Sequence, residues 1–328
     1  MLWLRIALVQ KNSFNRSLLK ESHMKKALVI GSEGNIGKPL VAYLKKKGYQ
    51  VKESDIKPGW RKNYHMADIN HAIDLLPVFD WKPNVVFILS AMVSRVTCEQ
   101  AGSLAIATNL GGIHNVLELC KRANAMTVFF STSEVYGPTC AVMDESISNP
   151  RPNNRYGLSK LLGEQLVEYE VRTHGLKAVT IRPFMMYDEN EAFGEHRSAM
   201  IRFACNLVRG IPIEVHKGSA RGWLHVSDAV KAIEAAVRVQ KYTVINIGHP
   251  NVVSMDHLAK LMCKTLGVSN SLIHYTDLPA RMTLVKKPVL KRQKELLNVV
   301  PKVSLEEGVS KVCQKVAERL TFEKKRSI

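Results

Sequence analysis

The chain has 328 residues, 46% hydrophobic and 23% charged, with a formal net charge of +18. That is the balance of a soluble globular protein, long enough for one large domain or two modest ones. The basic excess suits an anionic partner. Much of it lies near the C-terminus (Lys286, Lys287, Lys291, Arg292, Lys294, Lys324 to Arg326), and the lack of interleaved aromatics there argues against nucleic acid.

Residues 1–23 do not fit the rest. Met1 to Val9 is apolar but interrupted by Arg5 and too short to span a bilayer, so no membrane contact is expected. Lys11, Arg16 and Lys20 precede the first acid, Glu21. The stretch reads as a targeting presequence or as an extension ahead of a functional start at Met24, and in either case outside the fold.

A strand-like run, Ala27 to Ile30, feeds directly into Gly31-Ser32-Glu33-Gly34-Asn35-Ile36-Gly37, and a helix pattern follows through Leu40, Val41 and Leu44. A strand turning sharply into a helix aims unpaired N–H groups and the positive end of the macrodipole at one spot, an anion site. Glycine permits the turn and the close approach of a pyrophosphate. Gln50 to Ser54 reads as the second strand, and Asp55 stands at its end, eighteen positions after Gly37. An acid there accepts hydrogen bonds from the adenosine ribose and repels a 2′-phosphate, which favours NAD over NADP, although Lys57 and Arg61 stand close behind. Asp68 and Ile69, after a third strand, are placed at the adenine edge.

Asn84 to Leu89 is a continuous apolar run of the buried parallel-strand kind, ending in the small residues Ser90 and Ala91, past which a cofactor could run. Ala105 to Lys121 reads as a helix carrying Asn109 on a buried face. Val128 to Phe130 is a strand running into Ser131-Thr132-Ser133-Glu134-Val135-Tyr136-Gly137. Tyr156 to Lys160 opens a long helix, and Lys177 to Ile181 is a strand closed by Arg182-Pro183. This alternation means a parallel, doubly wound α/β sheet, in which ligands sit outside the carboxyl ends of the strands. Gly31, Asp55, Ser90, Thr132 and Arg182 all come from such ends. Beyond residue 183 the pattern is a helix at Ala199 to Arg209, a strand at Pro212 to Val215, helices at Val226 to Val239 and Ser254 to Leu266, and a strand at Thr243 to Ile247 returning to the main sheet.

The six cysteines (Cys98, Cys120, Cys140, Cys205, Cys263, Cys313) form no C-x-x-C pair, and no His cluster has zinc spacing. Reduced thiols, a cytoplasmic setting and no metal are expected.

Tyr156 and Lys160 are four apart and share one helical face. An ammonium beside a phenol lowers the phenol's pKa and makes it a base near neutrality. The Thr132 hydroxyl, at a strand end, can share the proton.

Together these motifs resemble the extended short-chain dehydrogenase/reductase family, specifically its NAD-dependent nucleotide-sugar epimerases and dehydratases. The carrying residues are Gly31 to Gly37, Ser131 to Gly137, Tyr156 with Lys160, Arg182-Pro183-Phe184, Arg221 to Asp228, Asn246-Ile247-Gly248 and Pro301 to Gly308. The resemblance covers about residues 24 to 320. It implies a Rossmann-like NAD-binding domain over residues 24–183 and a smaller, mainly substrate-binding lobe over 184–328. It places catalysis on Thr132, Tyr156 and Lys160, with Tyr156 removing the sugar 4-hydroxyl proton on the way to a 4-keto intermediate. Gly31, Gly34, Asn35, Ile36, Gly37, Asp55, Asp68, Ile69, Ser90, Ala91, Asn109, Tyr156 and Lys160 would contact NAD, and Arg221, Met185 and Ser133 the substrate. Glu134 would act as acid or base next to the ketone, as in dehydratases and glucuronate decarboxylases; a turn cap is its plainer role. A homodimer through the helices at 105–121 and 154–173 is implied. Two positions depart from the family pattern: Met185 replaces the usual asparagine and Asp188 the usual glycine. They leave open the same fold acting on a non-nucleotide alcohol. A non-catalytic NAD sensor is the third reading, against which the complete Thr132, Tyr156 and Lys160 set argues.

Overall fold

The computed structural model describes residues 25–138, 142–194, 197–279 and 282–326. The expectations for residues 1–23 and Met24 fall outside them.

The first half alternates as its periodicity requires. Strand β1 (Lys26–Ile30) leads to helix α1 (Gly37–Lys46), then β2 (Gln50–Asp55), β3 (Tyr64–Met66), α2 (Ala72–Phe79) and β4 (Val85–Ile88). Two short helices, α3 (Arg95–Gln100) and α4 (Gly102–Ile106), precede α5 (Ile113–Ala123) and β5 (Met126–Phe130). Helix α6 (Arg155–His174) and β6 (Ala178–Pro183) follow. The expected helix over 105–121 is therefore not regular: Ala107–Gly112 is a π-helical stretch between α4 and α5.

The second half contains β7 (Met186–Tyr187), α7 (Ala199–Val208), β8 (Ile213–His216), β9 (Ala220–Gly222), β10 (Leu224–His225) and α8 (Val226–Ala235). Then come β11 (Val244–Ile247), β12 (Val252–Ser254), α9 (Met255–Leu266), β13 (Ile273–Thr276), β14 (Val285–Lys286), α10 (Lys291–Leu297) and α11 (Leu305–Arg326).

Seven strands form one parallel sheet in the order β11-β6-β5-β4-β1-β2-β3. This is the doubly wound arrangement, extended by β11, which pairs Val244 with Thr180 through Ile247 with Pro183. Strand order reverses between β1 and β4, and a crevice opens there at the carboxyl ends. Successive side chains point to opposite faces. Ala27, Val29, Val85, Phe87, Val128 and Phe130 pack with α1 and α8. Leu28, Ile30, Val86, Ile88 and Phe129 pack with α2, α5 and α6. Both faces are covered, so the strands are apolar throughout; burying each large side chain contributes roughly 1.5–3 kcal/mol.

A separate core joins α7, α9 and α11 through residues such as Met200, Phe203, Leu258, Met262, Val312 and Val316. Two smaller sheets lie beside it, β12-β9-β14 and β13-β8. Among the described residues no helix is long and apolar enough to cross a membrane.

Candidate active site

The turn after β1 leaves no room for side chains. At Gly31 φ is +91°, and a Cβ there would lie 2.6 Å from the Ser90 backbone nitrogen, across the switch point. A Cβ on Gly37 would sit 2.2 Å from the Gly31 carbonyl oxygen. Helix α1 starts immediately after Ile36, with no side-chain cap and no acid in its first turn. Its first turn therefore carries no acid to occupy the positive end, and the nearest carboxylate in sequence, Glu33, is turned to Lys38 at 3.0 Å. The hydroxyls of Ser32, Ser54 and Ser90 are buried without a partner among the described residues. A glycine cradle, an uncapped helix start and unpaired hydroxyls suit the pyrophosphate and ribose of a dinucleotide. Asp55 Oδ2 accepts from the Glu33 N–H at 2.9 Å and Oδ1 from the Lys57 N–H at 3.2 Å. Each oxygen keeps acceptor capacity for a ribose hydroxyl.

Thr132 follows β5 by two residues and caps a 3-10 turn, Ser133–Tyr136, its hydroxyl accepting from the Glu134 N–H at 3.2 Å. Helix α6 starts beside that turn because Asn154 caps it, accepting from the Gly157 N–H at 2.8 Å. A Cβ on Gly157 would come within 2.8 Å of the Glu134 carbonyl oxygen, so glycine sets this close approach. The result puts Thr132, Glu134 and Tyr156 on the wall of one cavity of about 520 Å³. Burial pushes the Tyr156 phenol well above its ordinary pKa, and the Thr132 hydroxyl opposes the rise.

Lys160 lies one turn along α6 from Tyr156. It is buried, and its ammonium lies over the Phe129 ring, 4.4 Å from the centroid. Burial pulls its pKa down to about 7, with the Glu164 charge opposing. The expected acidification of the phenol by this lysine is not what moves Tyr156; burial dominates, in the opposite direction. Glu164 itself is engaged by Arg182, whose Nε and Nη2 donate to its two oxygens at 2.9 and 2.6 Å. Arg182 therefore does not reach the crevice with the other strand-end residues. It is buried behind them, stacked 4.8 Å from the Tyr136 ring centroid.

Glu134 lines the same cavity as Tyr156, and its charge acts on the phenol. Lys286 Nζ, from β14, reaches its Oε1 at 2.5 Å, and Asn154 Nδ2 donates to Oε2 at 3.0 Å. Burial alone would raise this carboxyl, but the Lys286 and Arg95 charges and the hydrogen bonds hold it at about 2. Its role as a simple turn cap is filled by Thr132 instead. Arg221 lines the cavity from β9, its Nη1 donating to the carbonyls of Ala220 and Leu284 at 2.7 Å and its Nη2 to that of Thr283 at 2.6 Å. Burial lowers its pKa to about 10. Arg95, Arg197, Arg202 and His216 complete the basic lining, against Glu134 and Glu214.

Of the other residues expected at the site, Ile36, Ser133 and Met185 line the cavity. Gly34 and Asn35 are exposed at the tip of the turn, and Ala91 follows Ser90 on the β4 side of the switch point. Asn109 is fully buried; its amide bonds the Met92 N–H at 2.8 Å, the Met92 carbonyl at 3.0 Å and Ser159 Oγ at 2.9 Å. Its geometry positions the loop after Ser90 and Ala91. Asp68 Oδ1 accepts from both Asn70 nitrogens, and Ile69 is buried in the core. Lys286, Arg95, Arg197, Arg202 and His216 were not singled out as site residues from sequence. They come from four segments, Arg197 and Arg202 both from around the start of α7, and only Lys286, in a Lys-Lys-Pro run, left any local signal.

The sequence model of the NAD dependent epimerase/dehydratase family matches residues 27–248. A UDP-N-acetyl-alpha-D-glucosaminuronate decarboxylase of Bacillus cytotoxicus is 27% identical, over 88% of this chain and 97% of its own. UDP-glucuronic acid decarboxylase 6 of Arabidopsis thaliana is 28% identical, over 91% and 90%. Among solved structures, UDP-glucose 4-epimerase of Thermotoga maritima with UDP-glucose has a TM-score of 0.83 at 25% identity, covering 90% of this chain and 99% of its own.

Proposed function

The chain belongs to the NAD-dependent epimerase/dehydratase family, and we propose that it transforms a nucleotide-linked sugar through a 4-keto intermediate, with decarboxylation of a hexuronate as the reaction. The observation that carries this reading is the cavity wall, where Tyr156 and Thr132 face Arg95, Arg197, Arg202, Arg221 and Lys286. Five cations against Glu134 and Glu214 suit a substrate with a diphosphate and a further carboxylate.

NAD, the family's cofactor, supplies when bound a reversible hydride acceptor for the carbon that carries the sugar hydroxyl. Gly31, Gly34 and Gly37 with the start of α1 would hold its pyrophosphate, and Asp55 the adenosine ribose. Tyr156 takes the 4-hydroxyl proton as its phenolate, a state that burial alone disfavours and that the positive nicotinamide ring of bound NAD would favour; Thr132 shares the proton, and Lys160, poised at about 7, stands on the same helix. A carboxylate on the carbon next to the resulting ketone is a β-keto acid. Its C–C bond breaks to release CO2, the electron pair moving onto the ketone oxygen as an enolate. Tyr156, now protonated, donates to that oxygen, a solvent proton adds to the carbon that lost CO2, and return of the hydride to C4 would leave the pentose hydroxyl. This route needs no side-chain acid for a leaving hydroxide. Dehydration does, and Glu134, held at about 2, carries no proton to give near neutrality.

Simple 4-epimerisation of a neutral sugar is the second reading. The same locked state of Glu134 favours it, because rotation of a ketone requires no second acid or base. The likeness in fold to the Thermotoga epimerase supports it too. Incubating the protein and NAD with UDP-glucuronate and, separately, UDP-glucose distinguishes the two. A UDP-pentose with CO2 supports the first reading, UDP-galactose the second, and neither product removes both.

A further inference from the structure

Glu33 lies inside the glycine turn, and sequence reading assigns it nothing. Its N–H donates to Asp55 Oδ2 at 2.9 Å, so its side chain is rooted one hydrogen bond from the carboxylate facing the adenosine ribose. Its own carboxylate is largely covered and holds two cations: Oε1 pairs with Arg61 Nη2, and Oε2 with Lys38 Nζ at 3.0 Å. Burial pushes Glu33 up, but these hydrogen bonds bring it below the ordinary range. Arg61 is clamped from the other side by Glu53, whose Oε2 accepts from Nη2 at 2.8 Å and from Nε at 3.2 Å. Glu53 Oε1 takes Lys45 at 2.6 Å. Two carboxylates, Glu33 and Glu53, thus hold Lys38, Lys45 and Arg61, and all three cations are engaged beside Asp55, whose carboxylate, among the described residues, accepts only from backbone N–H groups.

We propose that Glu33 is a specificity residue for the cofactor: it sequesters Arg61 and Lys38, the cations within reach of a 2′-phosphate, and so keeps the site selective for NAD over NADP. This rests on the reading that the turn binds the dinucleotide with Asp55 at the adenosine ribose. Asp55 alone is an incomplete barrier, because Arg61 and Lys38 are at least half exposed and, without Glu33, would be cations available to an added phosphate. Glu33 removes that option and adds a second repelling charge. Discrimination therefore comes from a built repulsion as well as from the ribose hydrogen bonds.

The test measures dissociation constants of NAD and NADP by isothermal titration, with no turnover involved, on the wild type, Glu33→Gln, and Glu33→Gln with Arg61→Ala. In Glu33→Gln the preference for NAD should fall by about tenfold or more through tighter NADP binding, with NAD within about threefold of wild type. Adding Arg61→Ala should return most of that gain, a reversal that mere distortion of the turn would not produce. An unchanged ratio, or one that falls only because NAD weakens, overturns the proposal. Wild-type protein that binds neither dinucleotide overturns the underlying reading of the turn, and the proposal with it.

Discussion

Lys286 and Glu134, 152 residues apart, form a buried ion pair at 2.5 Å on the wall of the cavity that Tyr156 also lines. The pair joins the turn after β5 to strand β14, and so ties the nucleotide-binding sheet to the smaller C-terminal sheets. It also fixes the chemistry open to Glu134, which stays an anion.

Removing one partner strands the other. Glu134→Gln leaves the buried Lys286 ammonium unpaired and should cost roughly 3–5 kcal/mol of stability in urea unfolding. Glu134→Gln with Lys286→Met should recover most of it. The acid side follows from the same pair. Glu134 has its folded pKa depressed to about 2, so its contribution is present above the unfolded value of 4.5 and is lost as pH falls toward 2. The double variant should lack that part of the acid-induced loss.

Lys160 gives a test on the alkaline side. Its pKa falls from 10.5 in the unfolded chain to about 7 in the fold. Between those values the unfolded state binds more protons, so this group makes stability rise with pH from about 7 upward. Lys160→Met should flatten the rise measured by unfolding at pH 7, 8 and 9, relative to wild type. An equal slope in both proteins would show that the ammonium is not desolvated as the structure has it.

Gly37→Ala tests the turn. Its Cβ would lie 2.2 Å from the Gly31 carbonyl oxygen and 2.8 Å from Ser32 backbone atoms, so the backbone must move. A stability loss of about 1–3 kcal/mol is expected, with NAD affinity reduced at least about tenfold. Calorimetry of unfolding and of binding checks the two effects separately.

A homodimer is expected through the helices over 105–121 and 154–173, where Leu158 is 43% exposed and Tyr169 46%, with Leu104, 54% exposed, just ahead of the first. Light scattering at micromolar concentration should return twice the chain mass, and Leu104→Arg should reduce it to one. A wild-type monomer would refute the assembly.

The nucleotide half was readable because its signals are local. A strand, a glycine turn and a helix lie within about twenty residues, and Tyr156 and Lys160 sit one helical turn apart. The return of β11 to the sheet was readable for the same reason, as a short β-branched run after a helix. The substrate side was not, because its charges meet only after folding. Arg95, Arg202, Arg221 and Lys286 come from four segments with no shared pattern. Within the motif, spacing puts Lys160 on the Tyr156 face, but only the folded packing shows its ammonium over the Phe129 ring. Arg182 likewise ends a sheet strand, yet Glu164, on a facing helix, draws it inward.

The central claim is that Tyr156 moves a sugar proton in a cavity built for an anionic substrate. It is tested most directly by CO2 release from carboxyl-labelled UDP-glucuronate in the presence of NAD, comparing wild type with Tyr156→Phe. Wild type should release label and the variant should be slower by about 10²–10⁴-fold while binding NAD equally well. Equal release by both, or none from wild type with UDP-glucuronate demonstrably bound, would contradict the account.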